Sequence, residues 1–144
     1  CFAGRMATAG MTRLGLIVSQ FNRPITTAME AAAEEAAAAA DAEIAARVSV
    51  PGVYDTPLAA QRVARGGEVD AIAVIGTVIT GETDHDQVIA TAAATALSQV
   101  SLETDTPVTF GVSGPGMTTE QARARIDRGA DAVTAAVAMV GAGA

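Results

Sequence analysis

Val74-Ile75-Gly76-Thr77-Val78-Ile79-Thr80-Gly81-Glu82-Thr83-Asp84-His85-Asp86-Gln87-Val88 reads as the end of a strand, a turn and the start of a helix. From Ala71 to Val78 the chain is a continuous apolar run rich in β-branched residues, the mark of a strand buried on both faces. Thr80-Gly81 breaks it, and the alanine-rich stretch toward Leu97 predicts a helix. Unpaired N–H groups at such a helix start, together with the helix dipole, make a ready site for an anion. The same stretch holds His85, the only histidine in the chain. Imidazole is the side chain that normally exchanges protons near neutral pH, so a proton shuttle would stand beside an anion pocket. The plainer alternative is an exposed histidine in an acidic loop.

Outward from this stretch the same plan repeats on both sides. Leu14-Gly15-Leu16-Ile17-Val18 predicts a buried strand that ends in the polar loop Ser19-Gln20-Phe21-Asn22-Arg23, and Pro24 opens the helix of the Ala31 to Ala40 tract. Ile44 to Val50 predicts a second strand, with Pro51-Gly52-Val53-Tyr54 as its loop. Asp55 or Thr56 then caps a helix that has Pro57 in its first turn and ends at Gly66-Gly67. Val108-Thr109-Phe110-Gly111-Val112 predicts the last strand, with Ser113-Gly114-Pro115-Gly116 as a loop. The following helix begins at Thr118 or Thr119, is interrupted at Asp127-Arg128-Gly129, and resumes from Ala130 to Val140. Strand alternating with helix in this way implies parallel pairing through right-handed crossovers. The expected fold is an α/β layered sandwich, with a four-stranded parallel, flavodoxin-like sheet and helices on both faces. Ligands on such sheets collect beyond the carboxyl ends of the strands, which gathers Phe21, Tyr54, Thr77 to His85 and Ser113-Gly114 toward one region.

Composition narrows the chemistry. At 144 residues, half of them hydrophobic, the chain is one domain able to bury a real core, which must be aliphatic because only 3% is aromatic. All nine basic residues are arginine, so no mechanism can use a protein lysine as Schiff-base nucleophile. A net charge of −7 disfavours nucleic acid and anionic membrane as partners. The lone cysteine, Cys1, forms no internal disulfide, which fits a reducing cytoplasm, and no Cys/His cluster has metal-ligand spacing. No apolar run has the length of a membrane span. Residues 1–12 show neither helix nor strand period and are expected to be a flexible extension, with Met11 as a candidate start; residues 13–144 are expected to form a single domain.

The loop residues resemble those of lumazine synthases, the 6,7-dimethyl-8-ribityllumazine synthases of riboflavin biosynthesis. The resemblance is carried by Ser19-Gln20-Phe21-Asn22, by the stretch from Val50-Pro51-Gly52-Val53-Tyr54-Asp55 to Ala59, and by Gly76-Thr77-Val78-Ile79-Thr80-Gly81-Glu82-Thr83-Asp84-His85-Asp86. Pro107-Val108-Thr109-Phe110-Gly111-Val112 and Glu120-Gln121-Ala122-Arg123-Ala124-Arg125 continue it, so that it spans Arg13 to Met139. Two departures stand out: Gly52-Val53-Tyr54-Asp55 where the family usually reads Gly-Ala-Phe-Glu, and Thr80 where an arginine is usual.

The resemblance implies condensation of 5-amino-6-ribitylaminouracil with 3,4-dihydroxy-2-butanone 4-phosphate, releasing water and phosphate, with no cofactor and no metal. One substrate supplies the attacking amine, which agrees with the absence of lysine. His85 would relay protons. Phe21, or its mimic Tyr54, would stack on the uracil, with Val53, Tyr54, Asp55, Thr77, Val78 and Ile79 meeting its polar edges and ribityl chain. Arg125 would clamp the phosphate, with Arg128 and the helix start at Glu82 and Thr83. The resemblance also implies a homopentamer, alone or built into a larger shell, with Phe110, Arg125 and Arg128 reaching each site from the neighbouring subunit. Residue by residue, the plainer readings are core packing for Phe21 and Phe110, a solvated face for Arg125, surface charges for Asp84 and Asp86, and an ion pair of Asp131 with Arg125 or Arg128. Two other functions share the fold: an archaeal-type riboflavin synthase, whose pattern lacks the Thr83-Asp84-His85 loop, and a non-catalytic flavin-binding or shell-forming protein.

Overall fold

The computed structural model describes residues 11–81 and 83–143. The expected extension therefore lies almost wholly outside the described residues, as does Glu82, although Thr12 already belongs to the first strand. The strands are β1 (Thr12–Ser19), β2 (Ala42–Val50), β3 (Ala71–Ile79) and β4 (Val108–Met117). The helices are α1 (Arg23–Ala39), α2 (Thr56–Gly66), α3 (His85–Thr104), α4 (Thr119–Arg123) and α5 (Arg128–Gly141). All strand pairs are parallel, in the order β2-β1-β3-β4. This is the expected flavodoxin-like sheet, and its order reverses between β1 and β3, the point at which such sheets open a crevice.

Alternation along the central strands divides the core into two layers. Leu14, Leu16, Val18, Ala73 and Ile75 share one cluster with Met29 and Ala33 of α1 and Val133 and Ala136 of α5. Ile17, Ile72 and Val74 share the other with Ala60 of α2 and Ala93 and Leu97 of α3. With so few aromatic residues, close approach does the work that bulk does elsewhere. A Cβ on Gly129 would lie 2.2 Å from the Met29 carbonyl oxygen, and one on Gly111 would lie 2.6 Å from the Ala132 Cβ. At both positions glycine lets α5 settle against α1 and β4. On the β2 side, Arg47 bridges Glu30 and Glu34 of α1, the latter at 2.6 Å, and ties that helix to the sheet margin.

Two expectations are corrected. Residues 113–116 are strand, not loop: β4 runs on to Met117, past a shift in the β3–β4 register between Thr77 and Ile79. Pro115 is tolerated because β4 is an edge strand. Gly114 has φ +100, and a Cβ there would meet the Val78 carbonyl oxygen at 2.2 Å. The break between the last two helices falls at residues 124–127, and Gly129 lies inside α5 as a packing residue instead of interrupting the helix.

Candidate active site

At the end of β1, Asn22 adopts a left-handed φ of 63°, which short polar side chains tolerate, and caps α1. The turn leaves Phe21 64% exposed. Beneath it, Ser19 Oγ and Asn22 Nδ2 are buried without a hydrogen-bond partner among the described residues. An unmatched buried donor costs about 1–3 kcal/mol, so such atoms are rare in finished folds and mark places where polar partners are received.

The second loop is a short 3₁₀ turn, Val53–Asp55. The Asp55 carboxylate accepts the Gly52 N–H at 3.0 Å, and the Thr56 hydroxyl donates to the Val53 carbonyl at 2.7 Å. Val53 itself is buried, while Tyr54 is 65% exposed. Of the three residues expected to serve from this loop, only Tyr54 presents a free side chain; the other two hold its shape. At the end of β3, the side chains of Thr77 and Val78 are buried, Ile79 packs against the α1–α5 layer, and the Ser113 and Thr77 hydroxyls meet at 2.7 Å. These positions can address a ligand only through their backbone.

His85 opens α3 and is exposed; its backbone N–H donates to Thr83 Oγ1 at 3.2 Å. Asp86 contradicts its reading as a surface charge. It is buried, and its Oδ2 accepts the Gly116 N–H at 3.0 Å and the Thr80 hydroxyl at 3.4 Å. Thr80, where the family usually has arginine, is exposed and lends its hydroxyl to Asp86.

Phe110 and Arg128 stand apart from this crevice. Phe110 pairs in register with Val74, about 16 Å before Ile79 at the usual strand rise. Phe110 and Arg128 line a cleft of about 380 Å³ on the flank of β4, together with Thr109, Asp131, Ala132 and Ala135. Arg125 is exposed in the turn before α5 and donates to the Gln121 carbonyl at 3.2 Å. The expected ion pair of Asp131 with Arg125 or Arg128 is not formed: among the described residues the ion pairs are Arg13 with Glu43 and Arg47 with Glu30 and Glu34. Within one chain, therefore, the expected site residues fall into two groups. Asn22 and Asp86 are additions that residue type alone did not single out, although an Asn after the first strand carries a recognisable signal, its tolerance of positive φ. Among the described residues no group of three or more His, Cys, Asp or Glu side chains could hold a metal, and no helix is long and apolar enough to cross a membrane.

Comparison with known proteins shows the family. A family model described as 6,7-dimethyl-8-ribityllumazine synthase matches residues 11–142. The chain is 62% identical over 129 residues to the 6,7-dimethyl-8-ribityllumazine synthase of Halobacterium salinarum, covering 90% of this chain and 97% of that protein. It is 61% identical over 127 residues to the one from Halorubrum lacusprofundi, covering 88% and 95%. With the enzyme of that name from Methanocaldococcus jannaschii it shares 47% over 130 residues, covering 90% and 92%. The matched span takes in every strand end and helix start just described, and the chain belongs to the 6,7-dimethyl-8-ribityllumazine synthase family.

Proposed function

We propose that the chain condenses 5-amino-6-ribitylaminouracil with 3,4-dihydroxy-2-butanone 4-phosphate and works as a ring of identical subunits with a shared site. It is the transferase of its family, acts on small molecules and serves riboflavin biosynthesis. One observation supports the shared site: the carboxyl edge, with most of the expected residues, and the flank that bears Phe110 and Arg128 lie apart in the single chain. A heterologous ring interface brings one face of a subunit against a different face of the next, and so joins unlike edges.

In this reading Phe21, or its mimic Tyr54, stacks on the uracil, and the backbone of residues 77–79 meets its polar edge. The buried Asn22 Nδ2 finds its acceptor on the same substrate. Arg125 and Arg128 of the neighbour, with the α3 start at Thr83, hold the phosphate; Glu82, assigned there from the sequence, lies outside the described residues. His85 takes and returns protons during imine formation, phosphate loss and ring closure, and the remaining acceleration comes from holding two substrates together. The pentameric ring, alone or within a larger shell, and a cytoplasmic setting complete the proposal, the latter supported by the single cysteine.

Mixing the protein with both substrates and following lumazine absorbance and fluorescence tests the reaction; bound flavin with no lumazine formed would defeat it. His85→Ala and Arg125→Ala, unfolded together and reassembled, test the shared site. About a quarter of randomly mixed interfaces pair an intact His85 with an intact Arg125, so activity should exceed the average of the two parents. Mixed rings that never exceed that average would assign Arg125 to its own subunit's surface.

A further inference from the structure

Among the described residues of the 80–88 region, Asp86 is the carboxylate that the fold takes inside. Thr83, Asp84, His85, Gln87 and Val88 are all exposed, whereas Asp86 keeps 6% of its surface. It has no cation partner among the described residues; its charge is met by the Gly116 N–H at 3.0 Å, the Thr80 hydroxyl at 3.4 Å and the N-terminal end of α3. Both hydrogen-bond donors come from outside the helix, one from β4 and one from the loop before α3.

The place of this contact gives it consequences. The β3–β4 register is broken between Thr77 and Ile79, so the regular ladder stops setting the separation of the two strands just where the candidate anion loop begins. Beyond the break, the end of β4 is held to the loop by the Thr80 N–H donating to the Met117 carbonyl at 2.8 Å and by Asp86. Asp86 also follows His85 directly in the first turn of α3, so whatever fixes its carboxylate fixes the turn that presents the imidazole. Thr77, on the other side of the break, is pinned independently by Ser113.

We propose that Asp86 is a positioning residue, which clamps the start of α3 to the end of β4 and so sets the phosphate end of the site while leaving the uracil end alone. The inference rests on the assignment of His85 and Thr83 to the site. It predicts a split that a general loss of stability would not produce. In Asp86→Ala, kcat should fall about 10-fold and the KM for the phosphate-bearing substrate should rise about 5- to 10-fold, with the KM for the uracil substrate within about 2-fold of the parent. Asp86→Asn keeps an acceptor oxygen for the Gly116 N–H and should return both values to within about 3-fold. Thr80→Val removes the weaker contact and should shift the same two parameters in the same direction by less. Hydrogen exchange at the Gly116 amide should be slow in the parent and in Asp86→Asn, and fast in Asp86→Ala.

An Asp86→Asn variant as impaired as Asp86→Ala would overturn the clamp, because charge alone would then carry the effect. Equal rises in both KM values, or unchanged kinetics, would overturn it too. If Asp86→Ala does not fold, Asp86→Asn and Thr80→Val decide by the same criteria. His85→Ala, measured alongside, separates the two levels of the argument. Full activity in that variant removes the site reading on which the inference rests, whereas an impaired His85→Ala beside an unaffected Asp86→Ala removes the clamp alone.

Discussion

The flank of β4 carries Phe110 and Arg128, the carboxyl edge of the sheet carries most of the other expected site residues, and the two are built in opposite ways. On the flank, Phe110 and Arg128 stand on regular elements that meet where glycines replace side chains: Gly111 beneath Ala132, Gly129 against the Met29 backbone. At the edge, Phe21 and Tyr54 stand on turns and His85 on the first residue of α3, beside local hydrogen bonds such as Gly52 to Asp55, and Gly116 and Thr80 to Asp86. Packing of the first kind yields little, because its nearest neighbours are backbone atoms that cannot step aside. The second kind exposes side chains with few constraints, as suits residues that must close on a ligand. A substitution in the seam should therefore register as stability, and one at the edge as activity.

The sharpest way to break that contrast is Gly129→Ala. The added methyl would meet the Met29 carbonyl at 2.2 Å. Overpacking against fixed atoms costs about 3 kcal/mol or more, about 10 °C in Tm for a chain of this size. A thermal melt that barely moves would show the seam to be looser than its distances indicate. Next in size, His85→Ala should slow turnover about 10- to 100-fold with Tm unchanged, because general acid–base help is lost while substrate approximation remains. Parent-level turnover would take His85 out of the mechanism.

Arg125→Ala should raise the requirement for the phosphate-bearing substrate about 10-fold, the cost of one charge-assisted pair, and inorganic phosphate should compete for the same site in the parent. A loss confined to the uracil substrate would contradict its placement at the phosphate. The smallest effect belongs to Phe21→Ala, which removes one stacking face and should raise the uracil requirement about 3- to 10-fold. An unchanged requirement would leave Phe21 as an exposed aromatic without a partner.

The repeating strand–helix plan was legible because each unit is local: an apolar run, a loop, a proline or capping residue, then an alanine-rich helix. What escaped is set by distance along the chain. Ser113-Gly114-Pro115-Gly116 carries every local mark of a loop, yet β3 recruits it as strand because the outer edge of β4 asks nothing of the Pro115 nitrogen. Gly129 reads as a helix breaker until α1 is seen lying against it. Asp86 sits close to the exposed Asp84 and His85, and Gly116, thirty positions away, together with Thr80 turns it inward. The site residues divide in the same way. The placing of His85 and Phe21 at the carboxyl edge could be read from the strand–loop pattern, whereas Asp131 looked like a partner for Arg125 or Arg128 and instead lines the flank cleft with no ion pair among the described residues.

The exposed ring of Tyr54 has a practical side. The chain has one tyrosine and no tryptophan, so nearly all of its near-ultraviolet emission comes from a single ring at the mouth of the crevice, 65% open to solvent. Uracil and lumazine chromophores absorb where tyrosine emits, and a stacked neighbour drains the excited state. The protein thus carries its own optical gauge of occupancy: quenching of that one emission on titration with the uracil substrate reports filling of the crevice without a label, and Tyr54→Phe supplies the dark control.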